Sequence, residues 1–395
     1  MGQLEGEGRM PLRQHAEEAT QAGIPVCDDF NTGDNFGVSR FEVNQKQGIR
    51  WSAARGFLDP VRSRPNLTIL TGALSDKLVL DGKRVAGLEI LREGERCVAH
   101  SRIDTILAAG SIGSPSVLQR SGIGAPEHLA ELGIPVVHAL PGVGRNLQDH
   151  LQLRSVFRVQ GIKTLNKTAN SLWGKAMMGL EFALFRRGPL TMAPSQLGLF
   201  AYSDEREQTP DIEYHVQPLS LDKFGDPLHS FPAFTASVCD LRPQSRGEVM
   251  IRDRDPHSAP RISPNYLSHP DDRLKAAKGL RLTRRIVAQP ALAPYRPIEH
   301  LPGPQFNTDE ELAFAAGNVG TTIFHPVGTC RMGKDDDVDA VVDSRLRVIG
   351  LQGVRVVDAS IMPTITSGNT SSPTIMIATK GAEMIRANRK TNDSG

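Results

Sequence analysis

IFHPVGTCRMG at 323–333, RVVDASIMP at 355–363 and TSGNTSSPTIMIATKGAEMI at 366–385 form the stretch around which the rest of the chain is arranged. His325 stands in a turn rich in proline and glycine, Asp358 closes an apolar strand, and Asn369 comes just before a helix start. Ser371, Ser372 and Pro373 make a strong helix N-terminus, a serine cap followed by proline where no backbone N–H is missed. The helix is expected to run to about Ala387. Its first turn carries no acidic side chain, so its free N–H groups and positive dipole end stay available to an anion or a reducible ring. The imidazole and the carboxamide converge only if the strand between them returns the chain to the same end of a sheet.

A second informative stretch is GSIGSPSVLQRSGIG at 110–124. A buried strand ending at Ala109 and Gly110 delivers a Gly/Ser turn and then Pro115 near the first helical turn. Such a junction lets a ligand approach the backbone closely, and on spacing alone a plain strand-to-helix turn fits equally well.

Composition sets bounds around these stretches. A chain of 395 residues is long for one domain and comfortable for two, and a hydrophobic fraction of 39% supplies a sizeable core. Lys and Arg total 46 against 44 Asp and Glu, so charge does not favour nucleic acid as a partner. Aromatic residues, at 5%, are too sparse for base-stacking platforms. Cys27, Cys97, Cys239 and Cys330 are far apart and form no CxxC, which suggests neither a zinc site nor a disulfide framework; no metal is expected. No apolar run spans a bilayer and the polar start is no signal peptide, so a soluble, cytoplasmic protein is expected.

In chain order, PLRQHAEEATQAGIP at 11–25 suggests a helix stopped by Gly23, and DDFNTGDNFG at 28–37 a loop. From Asn66 the pattern changes: LTILTG, then DKLVLDGKRVAGLEILREGERCVAHS, then DTILAAG read as strands with hairpins at Asp81-Gly82 and Glu93-Gly94. Strands at 151–159 and 212–217 surround a helical, Met-rich patch at 171–187, and DDRLKAAKGLRLTRRIVA at 271–288 is a clear helix. In the patch, Trp173, Met177, Leu180, Phe182 and Phe185 with Lys175, Arg186 and Arg187 suit a helix packed over a cavity or in a homodimer contact. The alternative is a peripheral membrane contact.

The quoted motifs resemble those of the glucose-methanol-choline (GMC) flavin oxidoreductases, choline-dehydrogenase-like branch. GSIGSPSVLQRSGIG is similar to that family's second signature, and HPVGTCRMG with RVVDASIMPTITSGNTSSPTIMIA to its C-terminal active-site region. DDFNTGDNFG, GIRWSAARGFL at 48–58, RPNLTILTGA at 64–73, GIPVVHALPGVGRNLQDHL at 133–151 and SRGEVMIRDRDP at 245–256 extend the likeness over nearly the whole chain.

The resemblance implies an FAD enzyme that oxidises the CH–OH of a primary alcohol, choline-like or aliphatic, to an aldehyde, with electrons passing to a quinone or protein carrier. His325 matches the family's catalytic histidine and Asn369 its partner. An imidazole, with an ordinary pKa near 6.5, accepts a proton reversibly, and a carboxamide can hydrogen-bond the alkoxide without competing for that proton. The resemblance also implies cofactor contacts from Ser75, Ala109, Gly110, Asp358, Ala359, Asn369, Pro373 and Thr374. His215 would line the substrate side. Asn146, Asp149 and His150 match a family motif for which structural roles are expected, and Cys330 is not expected to be a nucleophile.

Departures from the pattern matter too. No G-x-G-x-x-G follows a strand, because GEGRMP has no strand before it and GVGRNL at 142–147 lacks the third glycine or alanine. The chain therefore reads as a family member without its N-terminal portion. The expected fold is α/β plus α+β: an incomplete Rossmann-like FAD-binding domain from 1–150 and 335–392, and a substrate domain at 151–334 built on an antiparallel sheet and helices. The family's C-terminal homology region is expected at about 245–385. Two rival functions remain: a flavin-containing cyanohydrin-type lyase and a non-catalytic remnant that binds a partner protein.

Overall fold

The computed structural model describes residues 12–193, 195–223 and 225–392, which form two compact units, each assembled from three separate stretches of chain. GEGRMP at 6–11 lies outside the described residues.

The first unit draws on Met1–Thr68, Leu151–Asp240 and Pro270–Thr321. Its centre is an antiparallel sheet in the order Gly37–Arg40, Leu197–Ala201, Ile212–Gln217, Ala233–Asp240, Leu151–Arg158, Ile298–Leu301. Side chains alternate across a strand, and here both alternations are used. On one face Tyr214 donates its hydroxyl to the Gly279 carbonyl at 2.9 Å, docking the helix Pro270–Val287. The other face carries Gln152, Arg154, Glu213, His215 and Ser237, all buried. At one end Phe157 and Phe234 stack with centroids 5.4 Å apart, over Val287 and Leu292. Burying a side chain such as Phe234 contributes roughly 2–3 kcal/mol.

The helix Leu172–Phe185 belongs to this unit. Ser171 caps it by accepting the Gly174 N–H, and it stops where Arg186 turns left-handed at φ 52°. Met178 is its buried residue, whereas Leu172, Trp173, Met177, Leu180, Leu184 and Phe185 are exposed. Among the described residues no helix is long and apolar enough to cross a membrane.

The second unit draws on Ile69–His150, Leu241–His269 and Thr322–Gly395. Ala73–Asp81, Arg84–Arg92 and Glu95–His100 form a meander whose tight turns fall at the two expected hairpins. LTILTG corrects one expectation: residues 67–70 form no strand, and Ile69 and Leu70 are exposed. Thr105–Leu107 pairs in parallel with Val354–Val356 and runs into the helix Gly110–Arg120. Leu107, Leu118, Val327, Cys330, Val342, Val354 and Val356 sit in one core at this junction.

These units differ from the expected division in three places. Residues up to 68 join the antiparallel unit, because Gly37–Arg40 pairs with Leu197–Phe200. Leu241–His269 and residues 322–334, which hold the whole HPVGTCRMG stretch, join the other unit. Gln119 explains part of this: it donates to the Val249 carbonyl at 3.0 Å and accepts the Ile251 N–H at 2.8 Å.

Candidate active site

The site is organised by GRNLQDH at 144–150, every polar residue of which from Asn146 onward has a task. Gln148 and Val327 exchange both backbone hydrogen bonds, at 2.9 and 3.0 Å, so the loop carrying His325 lies alongside this motif as a short ladder. Asn146 and Gln148 donate their side-chain amides to the Pro363 carbonyl at 3.2 and 3.1 Å, and the Gln148 carbonyl oxygen accepts the Ile365 N–H at 3.2 Å. The segment leading to Asn369 is thereby tied to the same motif. Close approach requires a glycine at 328: its φ is +93°, and a Cβ there would sit 2.5 Å from the Asn146 carbonyl oxygen.

Asp149 holds His325 by the main chain, one carboxylate oxygen accepting the His325 N–H at 2.8 Å. The other oxygen accepts the hydroxyls of Tyr266 and Thr322. Burial, with Asp149 beside it, pushes the Tyr266 phenol well above its usual range, so it stays a donor. The preceding Phe324 is left-handed at φ 65° and exposed, a strained conformation for a bulky residue. The His325 ring is buried, 9% exposed, with Nδ1 3.1 Å from Nδ1 of His150. His150 is fully buried, and its Nε2 lies 3.2 Å from the Leu241 carbonyl oxygen.

Asn369 is exposed, in the turn before the helix Ser371–Asn392. Thr374 returns its hydroxyl to the Thr370 carbonyl at 2.7 Å, and Pro373 and Thr374 are half-buried in the first turn. Asp358 is committed to the protein. One oxygen accepts the Gly110 N–H at 2.9 Å and the Ser114 hydroxyl at 2.6 Å; the other accepts the Ser360 N–H and hydroxyl. Its side chain therefore fixes the strand-to-helix junction. Ala359 accepts the Gly328 N–H at 3.4 Å. Ser75 sits at a register shift of the meander, its carbonyl accepting from Arg120 at 3.2 Å. Burial, with Asp358 nearby, pushes the Cys330 thiol up, which leaves it un-nucleophilic.

His215 lies in the antiparallel unit, buried between Gly198 and Ser237 in register and stacked on Phe41 at 4.8 Å. Its Nε2 is 3.3 Å from a carboxylate oxygen of Glu213, whose two oxygens are buried and accept no hydrogen bond among the described residues. Sequence reasoning missed Glu213, which lies within the strand read at 212–217. It also assigned Asn146, Gln148, Asp149 and His150 no particular task. The available signal was the density of hydrogen-bonding side chains in NLQDH, directly before a strand.

Residues 7–152 and 243–378 match the two GMC oxidoreductase family models. The chain belongs to this family of flavin oxidoreductases. The "Oxygen-dependent choline dehydrogenase 1" of Chromohalobacter salexigens is 40% identical over 93% of the chain and 65% of its own length. The "Oxygen-dependent choline dehydrogenase" of Escherichia coli is 44% identical over 94% and 66% respectively. The chain thus spans about two thirds of the length of these curated relatives. Among solved structures, pyridoxine 4-oxidase from Mesorbium loti superposes with a TM-score of 0.83 at 31% identity, covering 96% of this chain and 70% of that one. A formate oxidase superposes with a TM-score of 0.89 at 23% identity over 97% and 71%, a likeness of fold.

FAD is the cofactor of this family, and the described residues leave room for such a group. A side chain at Gly110 would meet nothing within 4 Å, so the backbone there faces open space. Ala109 beside it is exposed. The helix at Ser371 has no acidic residue in its first turn, which leaves its dipole uncompensated.

Proposed function

We propose that this chain carries the proton-accepting part of an FAD-dependent oxidoreductase that converts the CH–OH of a small primary alcohol, choline or a like compound, to the aldehyde. The observation that carries this reading is His325, a buried imidazole whose backbone is pinned by Asp149 and whose Nδ1 is tied to His150. A ring fixed at one nitrogen presents the other in a constant direction, which a general base requires. The substrate hydroxyl gives its proton to that nitrogen, and its oxygen keeps the bonding pair. Asn369, in the turn before the helix Ser371–Asn392, would donate a hydrogen bond to the developing alkoxide. Ala109, Gly110, Pro373 and Thr374 would hold the cofactor, with Ala359 and Ser75 contributing backbone contacts. Bound FAD supplies the hydride acceptor.

The test uses an FAD-loaded form under anaerobic conditions, with choline or another primary alcohol. Flavin absorbance should bleach on adding substrate. His325→Ala should slow that bleaching by about 10²- to 10⁴-fold, the usual contribution of a positioned base. Asn369→Ala should cost less, because the base stays in place. A loss below about threefold for His325→Ala would remove the assignment. Electrons leave to a quinone or protein carrier in this reading, while the relatives' own name points to oxygen. Oxygen consumption with and without added quinone separates the two.

A further inference from the structure

We propose that His150 sets the tautomer of His325, holding its proton on Nδ1 and leaving the lone pair on Nε2; this rests on reading His325 as the base. The argument begins at the far end of the pair. The Leu241 carbonyl can only accept, so the His150 nitrogen facing it at 3.2 Å, Nε2, bears a proton. His150 is fully buried, which favours the neutral ring, and a neutral ring protonated on Nε2 has an acceptor lone pair on Nδ1. His325 Nδ1, 3.1 Å from that lone pair, is therefore the donor. A neutral His325 that donates from Nδ1 is left with its lone pair on Nε2, the nitrogen turned away from His150.

The ring planes cross at 83°, so the two imidazoles meet edge-on and do not stack. That arrangement suits an N–H aimed at an in-plane lone pair. When His325 takes a substrate proton on Nε2 it becomes a cation. Its Nδ1–H bond to His150 then turns charge-assisted and strengthens as the charge appears. His150 touches no reacting atom and is a positioning residue. It stands where a carboxylate is often found behind a catalytic histidine, so the ring of His325 is oriented by a neutral partner, and the nearby Asp149 carboxylate holds the main chain instead.

The test is ¹⁵N spectroscopy of the full chain labelled at histidine, which distinguishes the two tautomers of each ring directly. The wild type should show His325 protonated on Nδ1 and His150 on Nε2. His150→Phe fills the space and deletes the acceptor, and should move His325 toward the Nε2–H form. His150→Asn, whose side-chain oxygen can accept in the place of Nδ1, should restore the Nδ1–H form. In an FAD-loaded form, His150→Phe should lower the rate of flavin reduction by roughly 10- to 100-fold, as loss of an orienting partner does elsewhere. The Asn variant should recover most of it. His325 protonated on Nε2 in the wild type would overturn the proposal whatever the activity. A Phe variant that keeps the wild-type tautomer would also overturn it. If His150→Phe does not fold, the wild-type and Asn spectra still decide. Failure of the base assignment is a separate result, read from unchanged turnover in His325→Ala.

Discussion

Asp149 grips His325 by its backbone: the carboxylate accepts the His325 N–H at 2.8 Å, while the hydroxyls of Tyr266 and Thr322 converge on its second oxygen. Orientation of the ring is thus divided between two adjacent residues, Asp149 for the main chain and His150 for Nδ1. The loop that carries the candidate base has little freedom of its own.

Asp149→Ala should leave a buried amide and two hydroxyls without their acceptor. Each unsatisfied group costs about 1–3 kcal/mol, so the loss should reach several kcal/mol even with partial rehydration. Urea unfolding of the chain measures it. A midpoint within error of the wild type would show that the carboxylate does not organise this loop.

Alkaline pH should weaken the fold in two separable stages. Burial pushes up both the Cys330 thiol, with Asp358 nearby, and the Tyr266 phenol, beside Asp149. A raised folded-state pKa keeps the proton on in the native state, so its stabilisation is complete below the unfolded pKa. It is lost as pH rises and the unfolded chain ionises first. Those unfolded values are about 8.5 for Cys and about 10 for Tyr. Cys330→Ala should flatten the earlier decline in denaturation midpoint and Tyr266→Phe the later one. Parallel curves for wild type and both variants would contradict this.

Much of the fold was legible because it follows local rules. Hairpins at Asp81-Gly82 and Glu93-Gly94 obey turn chemistry, and the last helix begins at Ser371, where the Ser-Ser-Pro start was read. His325 and Asn369 were singled out through motifs alone. LTILTG was misread because its β-branched run satisfies strand propensity while the chain offers it no partner strand among the described residues. The tasks of Asn146 to His150 were hidden for another reason: they serve segments about two hundred positions away, and no local pattern records such a pairing. The grouping of the first 68 residues with the antiparallel sheet was hidden on similar grounds, since the pairing of Gly37–Arg40 with Leu197–Phe200 is non-local.

The 395-residue chain should bind FAD only weakly on its own. No G-x-G-x-x-G follows a strand among the described residues, and that turn is what cradles a dinucleotide pyrophosphate. Calorimetric titration with FAD and the flavin absorbance of the purified chain decide this. Near-stoichiometric bound flavin would show that another part of the chain serves as the cradle.

The helix Leu172–Phe185 should govern solubility. Trp173 is 75% exposed and Phe185 65%, and Leu172, Leu180 and Leu184 are exposed as well. Leu180→Glu with Leu184→Glu should raise the concentration at which the chain self-associates, as followed by light scattering. Unit stability should change little, because neither side chain is buried. Flotation with neutral and anionic vesicles, repeated on this variant, shows whether the same surface meets lipid.

The bond from Gly110 to Asp358 joins residues 248 positions apart, and that from Thr329 to Ser111 joins residues 218 apart. During synthesis, therefore, the strand-to-helix junction at Gly110 emerges long before the carboxylate that will fix it. Closing such a loop costs entropy that grows only slowly with its length, about 0.6 kcal/mol per doubling, so the finished unit is not weakened by the distance. Time is what the arrangement demands. Non-local closure slows folding, and apolar strands wait exposed meanwhile. The residues proposed for proton transfer are thus among the last to reach their places, and yield of the working site will depend on temperature and chaperones more than the final stability suggests.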